Sequence, residues 1–555
     1  MKNSLDFQEK REPMISAGFI ALILCLAFRI PLMNMIGAEG LAFFAPVNEL
    51  FLLCVAFCNV GFAEGLSNMM KYRVKREQYR NAHRIFRAAY TLTGFFAIIV
   101  VALIYIFNNF ISEVLFNQNF SKMALFMIAP AIAIMAFTCL LRGYFQGMGS
   151  PYPGAHSMVV EQVFTIGMGL LLASYFTNYG VKVAAILRND SFALSYGAMG
   201  AALGITIASI ISLLHLLIIY LMYRGTTKRQ IYRDSSRQVE TPGFVYQTLI
   251  VSAIPLGAFV VIYQVNHLID QRMFYYYFNR LNENGDIIFN KAEVWGTYYG
   301  IFLVVIGILT ALVSMVYMKT SRSVSSAWIS EEYRSGREQM MQAITQTIIV
   351  AFPLATLTAV LANPIASLFD KGDHETAVRV LQLGSVLIVF LAFSYFWLDL
   401  LKQFKRTVQM LVLVGGSLTV HILSLIFIMP MISKAEQLIT GIVVTNILGA
   451  GFSFVVGFFL VSRMLKYHGE WTNRNFRTLV VTLICSLVIG LMGLFLSKAI
   501  VNLVGPALTI IICLIISTVA YFVLMTLLKG LTVSDLDRLP GGQILIRLGR
   551  MIRYY

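Results

Sequence analysis

Charge is scarce in this sequence. Only 13% of its 555 residues are Asp, Glu, Lys or Arg, against 58% that are apolar. A soluble chain carries about 25% charged residues, so a soluble fold is excluded and a polytopic membrane protein is expected. Cysteine is scarce too: Cys25, Cys54, Cys58, Cys139, Cys485 and Cys513 all lie inside apolar segments. Cys54 and Cys58 can share a helix face, but no histidine or second cysteine pair completes a metal-ligand pattern. They read as small buried hydrophobes. A glycine-rich phosphate loop, an HExxH run, a nucleophile elbow and paired carboxylates at an active-site spacing are all missing. Their absence argues against an enzyme, including an integral membrane transferase. The amino-terminal "MKNSLDFQEKREPM" shows no small-residue cleavage site before the first span, which reads as retained.

What the chain does have is apolar length. A bilayer core about 30 Å thick needs about 20 residues per helix. That ruler marks about fourteen spans, near 14–35, 42–66, 88–112, 122–143, 154–177, 196–223, 244–270, 295–318, 338–362, 377–401, 408–430, 437–463, 477–500 and 504–529. The fold class expected is an all-α polytopic membrane protein. The net charge of +16 gathers in the loops after even-numbered spans and in the tails. Examples are "KYRVKREQYRNAHRIFR" (71–87) and "RGTTKRQIYRDSSRQ" (224–238). Basic loops stay inside, which puts these loops and both termini in the cytoplasm. Topology therefore explains the basic excess without nucleic acid.

The polar stretch 224–243 ends in Pro242-Gly243 and reads as a linker. The organisation expected is an N-lobe over 1–237 with helices 1–6, a C-lobe over 238–465 with helices 7–12, and a helix pair over 466–530. A cytoplasmic amphipathic tail follows over 531–555, where Arg547, Arg550 and Arg553 suit an anionic lipid surface. Similarity between the lobes is faint: "LLRGYFQGMGSP" closes span 4 and "LLKQFKRTVQ" closes span 10. Transporters are often built from such repeats, with the substrate site between them.

A charged side chain deep in a bilayer costs at least about 2.5–3.5 kcal/mol, so it faces a cavity or a partner. Arg29 stands about 9 Å from the outer end of span 1, and Glu49 lies at nearly the same depth on span 2. A short connection makes these spans antiparallel neighbours, so the two side chains are expected to approach each other. Arg29 either holds the pyrophosphate of a lipid carrier through its fork of donors or forms a structural ion pair. Asn266 and Asp270 are four apart near the outer end of span 7, with His267 and Arg272 beside them. They form a cation or sugar-hydroxyl site, or a solvated helix end. Glu161 comes about 12 Å into span 5, flanked by Ser157 and Thr165 at spacing four. This polar stripe is expected to face the space between the lobes. Glu161 either couples transport to protonation or cation binding, or pairs with Arg142 and locks the turn between spans 4 and 5. The aromatic residues, as in "MFYYYF" (273–278), read as interface anchors.

Three stretches carry a family resemblance: "FRIPLMNMIGAEG" (28–40), "LLRGYFQGMGSPYPGAHSMVVEQV" (140–163) and "VSDLDRLPGGQILIRL" (533–548). With about fourteen spans split six, six and two, they resemble the multidrug/oligosaccharidyl-lipid/polysaccharide (MOP) exporter superfamily. Within it, the chain resembles the branch that contains stage V sporulation protein B and the lipid II flippases. The resemblance implies two six-helix lobes around a central cavity and a C-terminal helix pair, a MATE-like fold. It also implies a flippase or exporter of a lipid-linked saccharide, a cell-wall or surface-polysaccharide precursor, working by alternating access. The setting is the bacterial plasma membrane and its lipids, with the protein a monomer and no cofactor beyond coupling to H+, Na+ or the membrane potential. Lipid II flippases line their cavity with arginines from spans 1, 2 and 8. Here span 1 offers Arg29, span 2 offers Glu49, and 295–318 holds no arginine. The outer part of the cavity is expected to be more cationic than anionic. Two other readings stay open. One is a cation-coupled multidrug exporter of the same superfamily, a type that usually stops at twelve spans. The other is a non-transporting scaffold for wall synthesis, which leaves Arg29 and Glu161 unexplained.

Overall fold

The computed structural model describes residues 12–234, 239–282, 290–369, 374–467, 469 and 473–530, and every regular element among them is a helix. The amphipathic tail expected over 531–555 lies outside the described residues. A helix satisfies its own backbone polar groups, which lipid cannot do, and so long apolar segments take this form. Among the described residues, twelve helices are long and apolar enough to cross a membrane. A bent pair, Glu375–Gly384 and Leu387–Gln403, meets at 48° and brings the number to thirteen when taken as one span. One of the twelve, Ser16–Val74, runs for 59 residues and contains both of the first two expected spans. The structure therefore accords with about fourteen crossings.

Two compact units divide the chain, residues 1–300 and 301–555. The first unit opens with α1 (Glu12–Ala56). A straight helix of its 45 residues would be about 68 Å long, more than twice the hydrocarbon thickness. It is not straight, because Gly37 sits at φ 67° and ψ 177°, a conformation open to glycine for want of a Cβ. Arg29 and Asn48 bond the same hydroxyl oxygen, of Tyr299, although a straight helix would hold them about 28 Å apart. Hence α1 is a hairpin folded at Gly37 with antiparallel arms.

The chain continues through a π-helical turn (Phe57–Ala63) into α2 (Glu64–Val74), α3 (Tyr79–Ile106) and α4 (Lys122–Gly147). Then follow α5 (Tyr152–Leu187), α6 (Ser191–Arg233), α7 (Pro242–Leu281) and the short α8 (Lys291–Thr297). Glycines line α6 at its contact with α5: a Cβ on Gly197, Gly200 or Gly204 would come within 2.4, 2.3 or 2.3 Å of Thr177, Leu172 or Gly169. Small side chains let membrane helices approach closely, where apolar burial alone gives no advantage over lipid. An apolar cluster that includes Leu66, Ile85, Phe86, Tyr144 and Leu249 joins α2, α3, α4 and α7.

The connection between α6 and α7 is not a free linker. Arg73 grips Glu240 through Nε at 2.9 Å and Nη2 at 2.8 Å, Arg84 donates to the Glu240 carbonyl at 2.7 Å, and the Glu240 N–H donates to Asn81 at 3.1 Å. Behind that clamp α7 packs on α1 and α3, and α8 packs on α1. The first unit therefore runs on to Gly300, past the lobe boundary expected at 237.

The second unit contains α9 (Val304–Ile329), α10 (Tyr333–Val360), α11 (Ala362–Phe369), α12 (Glu375–Gly384) and α13 (Leu387–Gln403). It ends with α14 (Thr407–Ile428), α15 (Ala435–Met464), α16 (Asn473–Val504) and α17 (Pro506–Leu527). The last two are the appended pair. They join through buried small residues such as Thr482, Cys485, Thr509, Cys513 and Ser517. Tyr521 then donates to the Ile349 carbonyl at 2.7 Å, tying the pair to α10. Between α9 and α13, Ser321 and Gln403 both donate to Asp399 Oδ2, at 2.5 and 2.8 Å.

Candidate functional site

Arg29 is a buried charge of the first unit. It projects from the first arm of α1, is only 6% exposed, and donates from Nη2 to the Tyr299 hydroxyl at 3.1 Å. The guanidinium carbon also stands 4.6 Å from the Tyr299 ring centre and 5.7 Å from that of Phe44, an arrangement that stabilises a buried cation. Its Nε and Nη1 are buried and bond nothing among the described residues. Tyr299 reaches it from a π-helical turn (Tyr298–Leu303) that follows α8. The close fit of α8 on the hairpin sets that reach, since a Cβ on Gly296 would come within 1.7 Å of the Ala38 carbonyl oxygen.

The expected pair of Arg29 and Glu49 is not made: no ion pair joins them among the described residues. Successive helical residues point about 100° apart, and it is Asn48 that turns toward Tyr299, donating to its hydroxyl at 2.8 Å. Glu49 turns instead to α7 and accepts from Gln264 Nε2 at 2.9 Å. Its charge still acts on Arg29 electrostatically.

Along α7, Asp270 is completely buried and Gln271 nearly so, while Arg272 is half-buried. Gln271 donates to the Phe116 carbonyl at 3.1 Å. The solvated helix end is thus overturned for Asp270, because the helix continues to Leu281 and packs this face inside the unit. Asn266 is half-buried, and Asp270 and Glu49 both act electrostatically on Tyr298. Arg29 and Arg272 bring two guanidinium groups to this part of the first unit, and Glu49 and Asp270 bring two carboxylates.

Glu161 is held by Arg142. The pair closes at 2.7 Å with the two side chains 9% and 13% exposed. Arg142 Nε also donates to Ser157 at 2.7 Å, and Nη2 to Ser212 on α6 at 3.2 Å. Ser157 and Thr165 are buried, and Ser157 faces α4 and α6 inside the first unit. The stripe expected on α5 therefore serves, at Ser157 and Glu161, to lock three helices together. Pro151 and Pro153 at the start of α5 bring that helix back beside α4 after a tight turn, which places Arg142 opposite Ser157.

Tyr299, Asn48 and Gln264 went unread in the sequence. An aromatic, an amide or a glutamine inside an apolar span looks like core until the span facing it is known. The one signal was Asn48 beside Glu49, two polar residues adjoining in span 2.

No family profile matches the chain. It is 26% identical to stage V sporulation protein B of Bacillus subtilis over 215 residues, which covers 39% of each chain. With the lipid II flippase MurJ of the same organism it shares 22% identity over 477 residues, 81% of each chain. The alignment with the sporulation protein thus spans well under half of that relative's length. Among solved structures, the inward closed conformation of lipid II flippase MurJ superposes with a TM-score of 0.62 at 14% identity, covering 92% of this chain and 97% of that one. An inward-facing multidrug-resistance MATE transporter of the MOP superfamily superposes at 0.61 and 15% identity, over 81% of this chain and 96% of that one. The protein is a multi-pass helical membrane protein with the fold of the MOP transporters. Within that class it resembles the branch of stage V sporulation protein B and the lipid II flippases.

Proposed function

We propose that this protein is a flippase that carries a lipid-linked saccharide across the bacterial plasma membrane, with both termini cytoplasmic. The observation that carries the reading is Arg29, a buried guanidinium with Nε and Nη1 unspent. Burying such donors without partners is costly, and a phosphate group supplies charged acceptor oxygens that guanidinium N–H groups bond strongly. The likeness to a lipid II flippase over most of both chains supports a lipid-borne anion as the occupant. The saccharide itself is left to the test. A cation-coupled exporter is the second reading, favoured by the buried carboxylates Glu49 and Asp270. A coupling role for Glu161 would require its bond to Arg142 to open during the cycle.

Purified protein in proteoliposomes separates the two readings. A fluorescent lipid-linked saccharide in the inner leaflet is expected to become accessible to an external quencher in proportion to the protein present. A cationic dye trapped in the same vesicles is expected to stay. Movement of the dye without movement of the lipid would replace the flippase by the exporter.

A further inference from the structure

The Tyr299 hydroxyl receives two hydrogen bonds, one from Arg29 Nη2 at 3.1 Å and one from Asn48 Nδ2 at 2.8 Å. A phenol oxygen accepts two and donates one. With both acceptor positions filled by N–H groups, the hydroxyl hydrogen can only be given away, and among the described residues it is given to none. Tyr299 is 2% exposed, so water does not readily take it. That unspent donor stands within one hydrogen bond of a guanidinium whose Nε and Nη1 are also unspent. Three donor groups, the Tyr299 hydroxyl and Arg29 Nε and Nη1, are thus linked through one hydrogen bond, and among the described residues no acceptor side chain bonds them.

The geometry points to Tyr299 as a second anion-contacting residue, giving its hydroxyl hydrogen to the same phosphate that Arg29 holds. This rests on the flippase reading for the identity of the anion, a lipid-borne pyrophosphate. Asn48 is then a positioning residue: its amide fills one acceptor position of the phenol and so aims the hydrogen away from itself. The ring has a separate task, stacking against Arg29.

Equilibrium binding of a short polyprenyl pyrophosphate to the full-length protein in detergent tests this, with inorganic pyrophosphate and the matching polyprenol as companions. Tyr299→Phe keeps the ring and removes the donor. Its dissociation constant for the polyprenyl pyrophosphate is expected to rise about tenfold, as for one lost hydrogen bond to a charged group, while polyprenol binding stays unchanged. In transport assays the same variant is expected to raise the apparent KM with little effect on the maximal rate. Wild-type affinity in Tyr299→Phe would overturn the proposal. Where that variant does not fold, Asn48→Asp replaces the donor amide by an acceptor that captures the hydrogen. Weaker anion binding is then expected, and unchanged binding would overturn the proposal. Inorganic pyrophosphate binding as tightly as the lipid, and equally sensitive to Tyr299→Phe, would keep the contact but remove the lipid carrier. Tyr299-dependent binding without translocation of any lipid-linked saccharide would remove the flippase reading alone. Absence of polyprenyl and inorganic pyrophosphate binding in the wild type would contradict both.

Discussion

At the scale of single residues, the first unit treats two of its buried arginines in opposite ways. Arg142 is saturated, with a carboxylate and two serine hydroxyls around it, whereas Arg29 keeps part of its guanidinium unbonded. The first pattern is that of a structural lock, and the second underlies the proposed anion site. Arg142→Met strands the Glu161 carboxylate between helices, which costs about 3–5 kcal/mol when a buried pair loses one partner. A drop of several degrees in the apparent melting temperature in detergent is expected, and the double variant with Glu161→Met recovers much of it. A single variant that melts like the wild type would remove the lock. The Arg142 to Glu161 bond was legible as one of two alternatives, because the tight turn set both residues near one end of their helices. The direction of Glu49 was not legible, because a helix of uniformly apolar neighbours gives no hint of which way one polar side chain faces. One residue of rotation decided that Asn48 met Tyr299 and Glu49 met Gln264.

Among the elements, the apolar spans could be read directly, since uninterrupted hydrophobic length is the property that places a helix in lipid. The hairpin of α1 was readable only as a short connection, and its hinge is one glycine in a left-handed conformation, Gly37. The polar stretch 224–243 looked like a boundary by composition. Its Glu240 is in fact clamped by Arg73 and Arg84, so α7 and α8 pack with the first unit. Charge pattern in a loop does not tell whether its partners wait on a neighbouring helix. The seating of α8 on α1 is the contact that delivers Tyr299, and it leaves no room at Gly296. Gly296→Ala would set a methyl group 1.7 Å from the Ala38 oxygen, so α8 must lift. Lower thermal stability and weaker anion binding are expected together in that variant. Gly307→Ala, where no atom lies within 4 Å of the added carbon, is expected to behave as wild type. Equal behaviour of the two variants would mean that α8 is not held against the hairpin as described.

For the whole molecule, the basic loops set an orientation that can be checked without any substrate. In a background free of its own cysteines, Lys228→Cys lies in the basic C-terminal end of α6 and Asn119→Cys in the turn before α4. A membrane-impermeant maleimide is expected to label position 119 in intact cells and position 228 only after permeabilisation; the reverse pattern would invert the topology. The central claim is that a lipid-borne anion crosses by way of Arg29. Its most direct measurement is translocation of a fluorescent lipid-linked saccharide in proteoliposomes by the wild type, Arg29→Lys and Arg29→Ala at equal, folded protein. The account predicts rapid translocation by the wild type, a reduced rate for lysine, which keeps the charge but not the fork, and loss of protein-dependent translocation for alanine. Translocation by Arg29→Ala at the wild-type rate would contradict it.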